Sequence, residues 1–92
     1  IANLKDGFGI KISPNPLIDK AIIDYIVAGT GAVTIDITDV FGQRVQTLYT
    51  GNQNQGQYQL IINSQLKTLS AGVYFIRLQQ NGKGSYTRFL KL

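Results

Sequence analysis

The sequence predicts an all-β domain in which about seven short antiparallel strands form a sandwich, and three observations support this. Apolar and polar residues alternate with a period of two over most of the chain, as in strands that bury one face. No stretch carries a sustained apolar stripe with the 3.6-residue period of a helix. Glycine, proline and asparagine interrupt the chain about every 8 to 15 residues, a spacing typical of sandwiches.

The first three strands are separated by clear turn signals. The first ends at Pro14-Asn15-Pro16, because proline lacks the N–H that a strand ladder needs. The third is the clearest, since alternate residues from Val33 to Ile37 are branched and apolar. Gly29-Thr30-Gly31 precedes it and is predicted to close a tight turn between the second and third strands. The seven predicted strands span residues 9–13, 20–28, 32–39, 44–49, 57–62, 73–80 and 85–92.

Turn residues also divide the second half of the chain. Phe41-Gly42 turns it into the fourth strand, and residues 50–55 are predicted to form a polar loop. Asn81-Gly82 is the commonest signal of a type I′ turn and closes the last hairpin. Together these elements predict an immunoglobulin-like β-sandwich with Greek-key connections. A closed barrel is the alternative.

Composition bounds the functions that the chain could have. Its 92 residues are enough for one domain, and a domain of this size buries about 60–65% of its unfolded surface, leaving little for a deep cleft. Cysteine, histidine and glutamate are absent, which disfavours an autonomous enzyme and predicts no metal site and no cofactor. The net charge of +4 comes from basic residues scattered singly, so no nucleic-acid partner is expected. No apolar run approaches the ~18 residues of a membrane span.

One pair of carboxylates deserves a structural test. If the turn at residues 29–31 makes a hairpin, Asp24 lies opposite Asp36, and like charges across a ladder are destabilising. A bound cation or a neighbouring lysine or arginine would relieve the repulsion, and two such carboxyls could also act as an acid and base. An open strand face would leave both carboxylates solvated, so no catalytic residue is predicted.

Leu69, Gly72 and Tyr74 are predicted to serve architecture rather than a reactive pocket. In Greek-key sandwiches a tyrosine near the start of a late strand bonds through its hydroxyl to the backbone upstream, and a glycine permits the bend. The last hairpin is less ordinary, because Val73 and Phe75 make its second face apolar too. Such a strip is a candidate docking surface. Alternatively, loops or a neighbouring domain cover it.

Several motifs resemble, in order and spacing, the C-terminal sorting domain of type IX secretion cargo, type A. The resemblance extends from about Ile10 to Leu92, and Ile23, Tyr25 and Val27 of the second strand belong to it. The motifs are "SPNPL" (13–17), "DVFGQRV" (39–45), "GQY" (56–58), "LSAGVYFIRL" (69–78) and "TRFLKL" (87–92).

This resemblance implies a non-catalytic sorting signal at the C-terminus of a secreted cargo protein of the Bacteroidetes group. Its partners would be components of the type IX outer-membrane translocon, a sortase-like cysteine peptidase that removes the signal, and the cargo domain upstream. The protein would pass through the periplasm and reach the outer-membrane surface or the extracellular space. Residues 1–8 are then expected to form a linker that holds any cleavage point, and residues 9–92 to form the sorting domain.

The resemblance also assigns roles to residues. Leu17 departs from the family's phenylalanine at a site that needs an apolar plug. The turn and corner positions of the family are matched by Pro14, Asn15, Pro16, Asp39, Gly42, Leu69, Gly72 and Tyr74. The candidates for recognition by the translocon are Arg88, Phe89, Leu90, Lys91 and Leu92. We expect the edge and apolar strip of the last hairpin to be read by β-augmentation or groove docking, with the basic side chains setting the register.

A second class of function is a carbohydrate-binding or adhesive module appended to a secreted hydrolase. Such modules stack sugars on exposed aromatic rings, and surface tyrosines such as Tyr49 or Tyr86 would serve this use. The other candidates, Tyr25, Tyr58 and Tyr74, fall on the apolar phase of their strands and are predicted to pack in the core. Binding of polysaccharide by the isolated domain would favour this alternative over a sorting signal.

Overall fold

In the computed structural model, which describes residues 8–92, seven strands form two antiparallel sheets. One 3₁₀ helix, Ser64–Thr68, lies between the fifth and sixth strands. Residues 1–7 of the predicted linker lie outside the described part, whereas Phe8 packs against the core. The strands are β1 (Gly9–Ser13), β2 (Ala21–Val27), β3 (Gly31–Thr38), β4 (Arg44–Gln53), β5 (Gly56–Ile62), β6 (Gly72–Gln80) and β7 (Lys83–Lys91).

The two sheets have the strand orders β1-β2-β5 and β4-β3-β6-β7. The chain therefore crosses from one sheet to the other after β2, after β4 and after β5. Strand β3 pairs with β4, its neighbour in sequence, and also with the distant strand β6. This confirms the predicted seven-stranded sandwich of the immunoglobulin type. The alternative of a closed barrel is wrong, because the sheets remain separate.

A single core fills the space between the sheets. Alternate residues of β2 and β3 face inward, which is the period of two that the sequence displays. Leu17 and Leu66 reach the same core from the segments outside the strands, and both are fully buried. The buried apolar residues are Ile10, Ile12, Leu17, Ala21, Ile23, Tyr25, Val27, Val33, Ile35, Ile37, Ile62, Leu66, Ile76, Leu78 and Phe89.

The prediction of a polar loop at residues 50–55 is wrong for residues 50–53, which belong to a strand. Strand β4 continues to Gln53, and β5 begins three residues later at Gly56. The polar run looked like a loop because β4 is an edge strand, where exposed side chains need not alternate with apolar ones. By contrast, the predicted turn at Asn81-Gly82 is confirmed, with φ of 52° and 79° at its two residues.

Two strands begin with the same Gly-x-Tyr corner. The Tyr74 hydroxyl donates to the Ser70 carbonyl at 2.8 Å, as predicted, and the Tyr58 hydroxyl donates to the Asn54 carbonyl at 2.6 Å. In each case the glycine two residues before the tyrosine has φ of +154°, a conformation that only glycine adopts readily. Each corner follows a crossing between sheets. Sequence reasoning missed the one at Tyr58, although the repeated Gly-x-Tyr spacing was there to indicate it.

We predict that removing either corner hydroxyl destabilises the fold modestly. Tyr74→Phe deletes one hydrogen bond to a backbone carbonyl and should lower the free energy of unfolding by about 1 kcal/mol. Tyr58→Phe should cost a similar amount because its bond has the same geometry. Urea unfolding of the two variants measures both losses. Unchanged midpoints would show that neither bond stabilises its corner.

Ionisation of Tyr25 should lower the stability of the domain at alkaline pH. Burial raises the pKa of its phenol, whose hydroxyl donates a hydrogen bond to Gln53 at 2.9 Å. The unfolded chain therefore loses this proton first, near pH 10, and stability falls as pH rises from there through the folded pKa. Tyr25→Phe should have a flatter decline than the wild type between pH 9 and pH 11. If the free energies of unfolding of the two proteins, measured with urea, fall equally steeply with pH, this prediction is wrong.

Candidate functional site

The predicted pairing of Asp24 with Asp36 is wrong. Strands β2 and β3 lie in different sheets, so residues 28–30 cross the sandwich instead of closing a hairpin. Asp24 pairs in register with Lys11 and Gln59, and its carboxylate accepts a hydrogen bond from Gln59 at 3.1 Å. Because the two acids are in separate sheets, they share neither a cation nor a proton.

Asp36 has a different partner on the outer face of the four-stranded sheet. Its carboxylate is only 1% exposed and accepts two hydrogen bonds from the guanidinium of Arg77, at 3.0 and 2.8 Å. The hydrogen bond to Asp36 is the main cause that raises the pKa of Arg77. A bidentate pair of this kind fixes the relative geometry of the two side chains. Within residues 8–92 no three or more acids, histidines or cysteines gather where they could hold a metal ion.

The predicted recognition segment comprises residues 88–91 at the end of β7, an edge strand, and Leu92 immediately after it. Arg88 and Leu92 are exposed, and Leu90 and Lys91 are half-buried. Phe89 is different: it is 1% exposed and stacks on Tyr74 with ring centroids 5.8 Å apart. Phe89 therefore cannot belong to a docking surface of the folded domain. Apolar residues occur on both phases of this strand, so the sequence did not show which one faces the core.

Residues 15–17 cover the edge of this segment. The Asn15 side chain donates to the Arg88 carbonyl at 3.1 Å and accepts from the Leu90 N–H at 3.0 Å. Leu17 then pairs in parallel fashion: its N–H donates to the Leu90 carbonyl, and its carbonyl accepts from the Leu92 N–H. The edge from Arg88 onward is therefore occupied, and β-augmentation along it is excluded while residues 15–17 stay in place.

The apolar strip predicted on the last hairpin is present on the outer face of the four-stranded sheet. Val73 lies opposite Leu90, and Phe75 lies opposite Arg88. All but Arg88 are half-buried. A hollow of about 320 Å³ is lined mainly by Asn15, Pro16, Val73, Arg88 and Leu90, with the nearly fully buried Phe89 offering almost no surface to it. Of the two modes of recognition expected from the sequence, the geometry suits groove docking.

The turn between β3 and β4 borders the same face. One oxygen of the Asp39 carboxylate accepts from the N–H groups of Phe41 (2.9 Å) and Gln43 (3.0 Å). The Asp39 N–H donates to the Gln43 carbonyl, and Gly42 adopts a positive φ of 85° to close the loop. This arrangement explains why aspartate and glycine stand at these two positions. A second hollow, of about 260 Å³, lies between this turn and the side chains of Phe75 and Tyr86.

Tyr49 and Tyr86 do not form one platform. Tyr49 is half-buried against the core, whereas Tyr86 is 58% exposed on the outer face of β7. Beside Tyr86 lies a polar hollow of about 480 Å³, whose lining includes Thr34, Gln79 and Asn81. A single exposed ring next to amide groups could contact one sugar.

The model of a family described as "Secretion system C-terminal sorting domain" matches residues 11–91. That match extends from β1 to the last residue of β7, so it covers the sandwich, the turn at Asp39 and most of the segment at its end. None of the curated proteins matches the chain significantly. In the described residues no helix is both long and apolar enough to cross a membrane.

Proposed function

This chain belongs to the family of type IX secretion C-terminal sorting domains, and we propose that it directs an attached cargo protein through the outer-membrane translocon without chemistry of its own. The match over residues 11–91 is the observation that carries this proposal. Membership implies export to the outer-membrane surface or the extracellular space. The translocon components act as partners, and the upstream cargo domain is the passenger.

The recognition element in this proposal consists of exposed Arg88 and Leu92 and half-buried Lys91 in the terminal segment. Arg88, Lys91 and Leu92 supply two positive charges and one apolar side chain that is 58% exposed. Buried Phe89, together with the hydrogen bonds that Asn15 and Leu17 make to the backbone of Leu90, holds this part of β7 on the sandwich. Charged groups on a rim steer encounter, and apolar groups add affinity.

Removal of the domain after export is the second step of the proposal. A sortase-like cysteine peptidase needs an accessible stretch ahead of the folded sandwich. Phe8 packs against the core and its ring centroid lies 5.9 Å from the Lys83 ammonium, so the cut is expected before Phe8. Intact mass of the released cargo would locate it. A cargo that keeps residues 8–92 would refute removal.

The test of recognition changes surface residues while leaving Phe89 in place. A reporter fused to the chain should be exported, and the triple variant Arg88→Ser, Lys91→Ser, Leu92→Ser should accumulate in the periplasm. A matched control is Lys20→Ser, Lys67→Ser, Ile61→Ser, which removes two charges and one exposed apolar side chain elsewhere. The control should be exported like the wild type. Equal export of both triple variants would remove the terminal segment from recognition.

The exposed Tyr86 ring beside its polar hollow supports a second candidate, a carbohydrate-binding module. That function requires retardation of the isolated domain in a polysaccharide gel and loss of the retardation in Tyr86→Ala. A pure sorting signal should migrate unchanged in both forms.

A further inference from the structure

We propose that the turn side of the outer sheet face binds an extended acidic segment of a partner protein that carries a bulky apolar side chain. This basic-apolar face consists of Val40, Phe41, Arg44, Phe75, Tyr86 and Arg88. The proposal rests on the sorting function and names the chemistry of the partner. It extends the recognition surface beyond the terminal segment to β4 and to the turn at Asp39.

The side chains of this face belong together by strand register. Phe75 of β6 lies between Arg88 of β7 and Thr38 of β3. Arg44, the first residue of β4, is paired with Thr38 on its other side, just beyond a register shift between Ile37 and Thr38. Residues opposite one another across a ladder share a face of the sheet. Two arginines therefore flank an aromatic centre on one row.

The hollow of about 260 Å³ lies at this centre. It is smaller than the roughly 300 to 1,000 Å³ of sites for small molecules. Val40, Phe75 and Tyr86 make its lining mainly apolar, and the buried Thr38 also lines it. A space of this size and lining suits one apolar side chain of a peptide better than a free ligand.

Phe41 stands in the chain between Val40 and Gly42, which both line the hollow, and it is 87% exposed. The turn that carries it is held by the Asp39 carboxylate and by two backbone hydrogen bonds, so Phe41 is displayed on a fixed loop. Val40 next to it is also exposed. A group of exposed apolar side chains on a small domain indicates an interaction site, and aromatic residues in fixed positions are the usual anchors of interfaces.

Charge identifies the kind of partner. The two acids next to this face already have partners. Asp36 is paired with Arg77, and Asp39 accepts hydrogen bonds from two backbone N–H groups. Arg44 and Arg88 are exposed, and within the described part of the chain Arg77 and Asp36 form the one ion pair. The face is left positive, which favours an anionic partner. A second copy of this chain, with net charge +4, would be repelled.

The opposite outer face lacks this pattern and provides a control. On the three-stranded sheet Lys11 lies opposite Asp24, so basic and acidic charges balance. Ile61 of the same face is 57% exposed, and Lys67 is exposed in the 3₁₀ helix. Substituting these two residues changes polarity and charge as much as substituting Phe41 and Arg44 does.

The first experiment compares two double variants in an exported reporter fusion. Phe41→Ser with Arg44→Glu should lower the amount of secreted reporter about tenfold, as expected when an aromatic anchor and a favourable charge are lost. The control Ile61→Ser with Lys67→Glu should stay within about twofold of the wild type. Urea midpoints of both variants should match the wild type, because all four residues are exposed. If the two variants are secreted equally and the wild type is secreted, the basic-apolar face is refuted while the sorting function stands.

The second experiment identifies the partner's chemistry. A benzophenone amino acid at position 41 should crosslink during export to a segment of net negative charge, and the same probe at position 61 should not. Crosslinks at position 41 to another copy of this chain, or to a neutral or basic segment, would overturn the proposal. If the wild-type fusion itself is not exported in these cells, the proposed sorting function is refuted, and so is the proposal for the basic-apolar face that rests on it.

Discussion

Deleting residues 88–92 should unfold the domain rather than only remove a signal. The deletion takes away Phe89, and loss of a buried phenylalanine alone costs about 3–5 kcal/mol. It also removes the β7 groups to which Asn15 and Leu17 are hydrogen-bonded. The sum is comparable to the whole stability of a small domain, about 5–15 kcal/mol. Circular dichroism during heating should show no cooperative transition.

Loss of export after this deletion would therefore not show that residues 88–92 are recognised. A cargo trapped in the periplasm by this deletion could be trapped because its domain no longer folds, so the truncation does not isolate recognition. The triple serine variant at Arg88, Lys91 and Leu92 keeps Phe89 and the backbone partners of residues 15–17, and it should melt cooperatively. A truncated domain that melts like the wild type would show that Phe89 and the edge contacts contribute little.

Arg77→Met should destabilise the fold by about 3 kcal/mol. The substitution keeps the length and much of the apolar stem of the side chain but leaves the buried Asp36 carboxylate without its guanidinium. An uncompensated buried charge is among the largest single-residue penalties. Urea unfolding measures the loss directly.

A double variant separates this cause from lost packing. With Asp36→Val added, Arg77→Met no longer strands a charge, so the double variant should be more stable than Arg77→Met alone. If the double variant is the less stable of the two, the penalty comes from packing on the outer face, and our account of the ion pair is wrong.

Alternation predicted the strands well because most of them bury one face. β3 is the best case, with Val33, Ile35 and Ile37 all buried. The partner of β3 could not be predicted from the turn that precedes it. The connection of residues 28–30 is short enough for a hairpin, yet a few extended residues also span the ~10 Å between packed sheets. Length therefore does not decide between the two, and the acid pair inferred from a hairpin was an error.

The contact between residues 15–17 and β7 joins positions more than seventy apart in sequence, so no local pattern predicts it. One feature becomes interpretable once the contact is known. Pro14 and Pro16 cannot donate from their backbones, and the amide of Asn15 between them supplies both a donor and an acceptor to the edge of β7. The Leu17 site was expected to need an apolar plug, and the side chain is fully buried.

The basic-apolar face was only partly visible in the sequence. Val73 and Phe75 indicated an apolar second face on the last hairpin. Phe41 and Arg44 looked like parts of a turn and of a separate strand. They join the same face because β3 carries β4 on one side and β6 on the other, which is a property of sheet order rather than of any motif.

The most direct measurement is the fraction of a reporter that leaves the cell when this chain is fused to its C-terminus. The reporter should carry a signal peptide for entry into the periplasm and be expressed in matched cells with and without a functional type IX translocon. Our account predicts that the reporter reaches the cell surface or the medium only with the translocon. A reporter that stays in the periplasm of translocon-positive cells, although its domain is folded, would contradict the account.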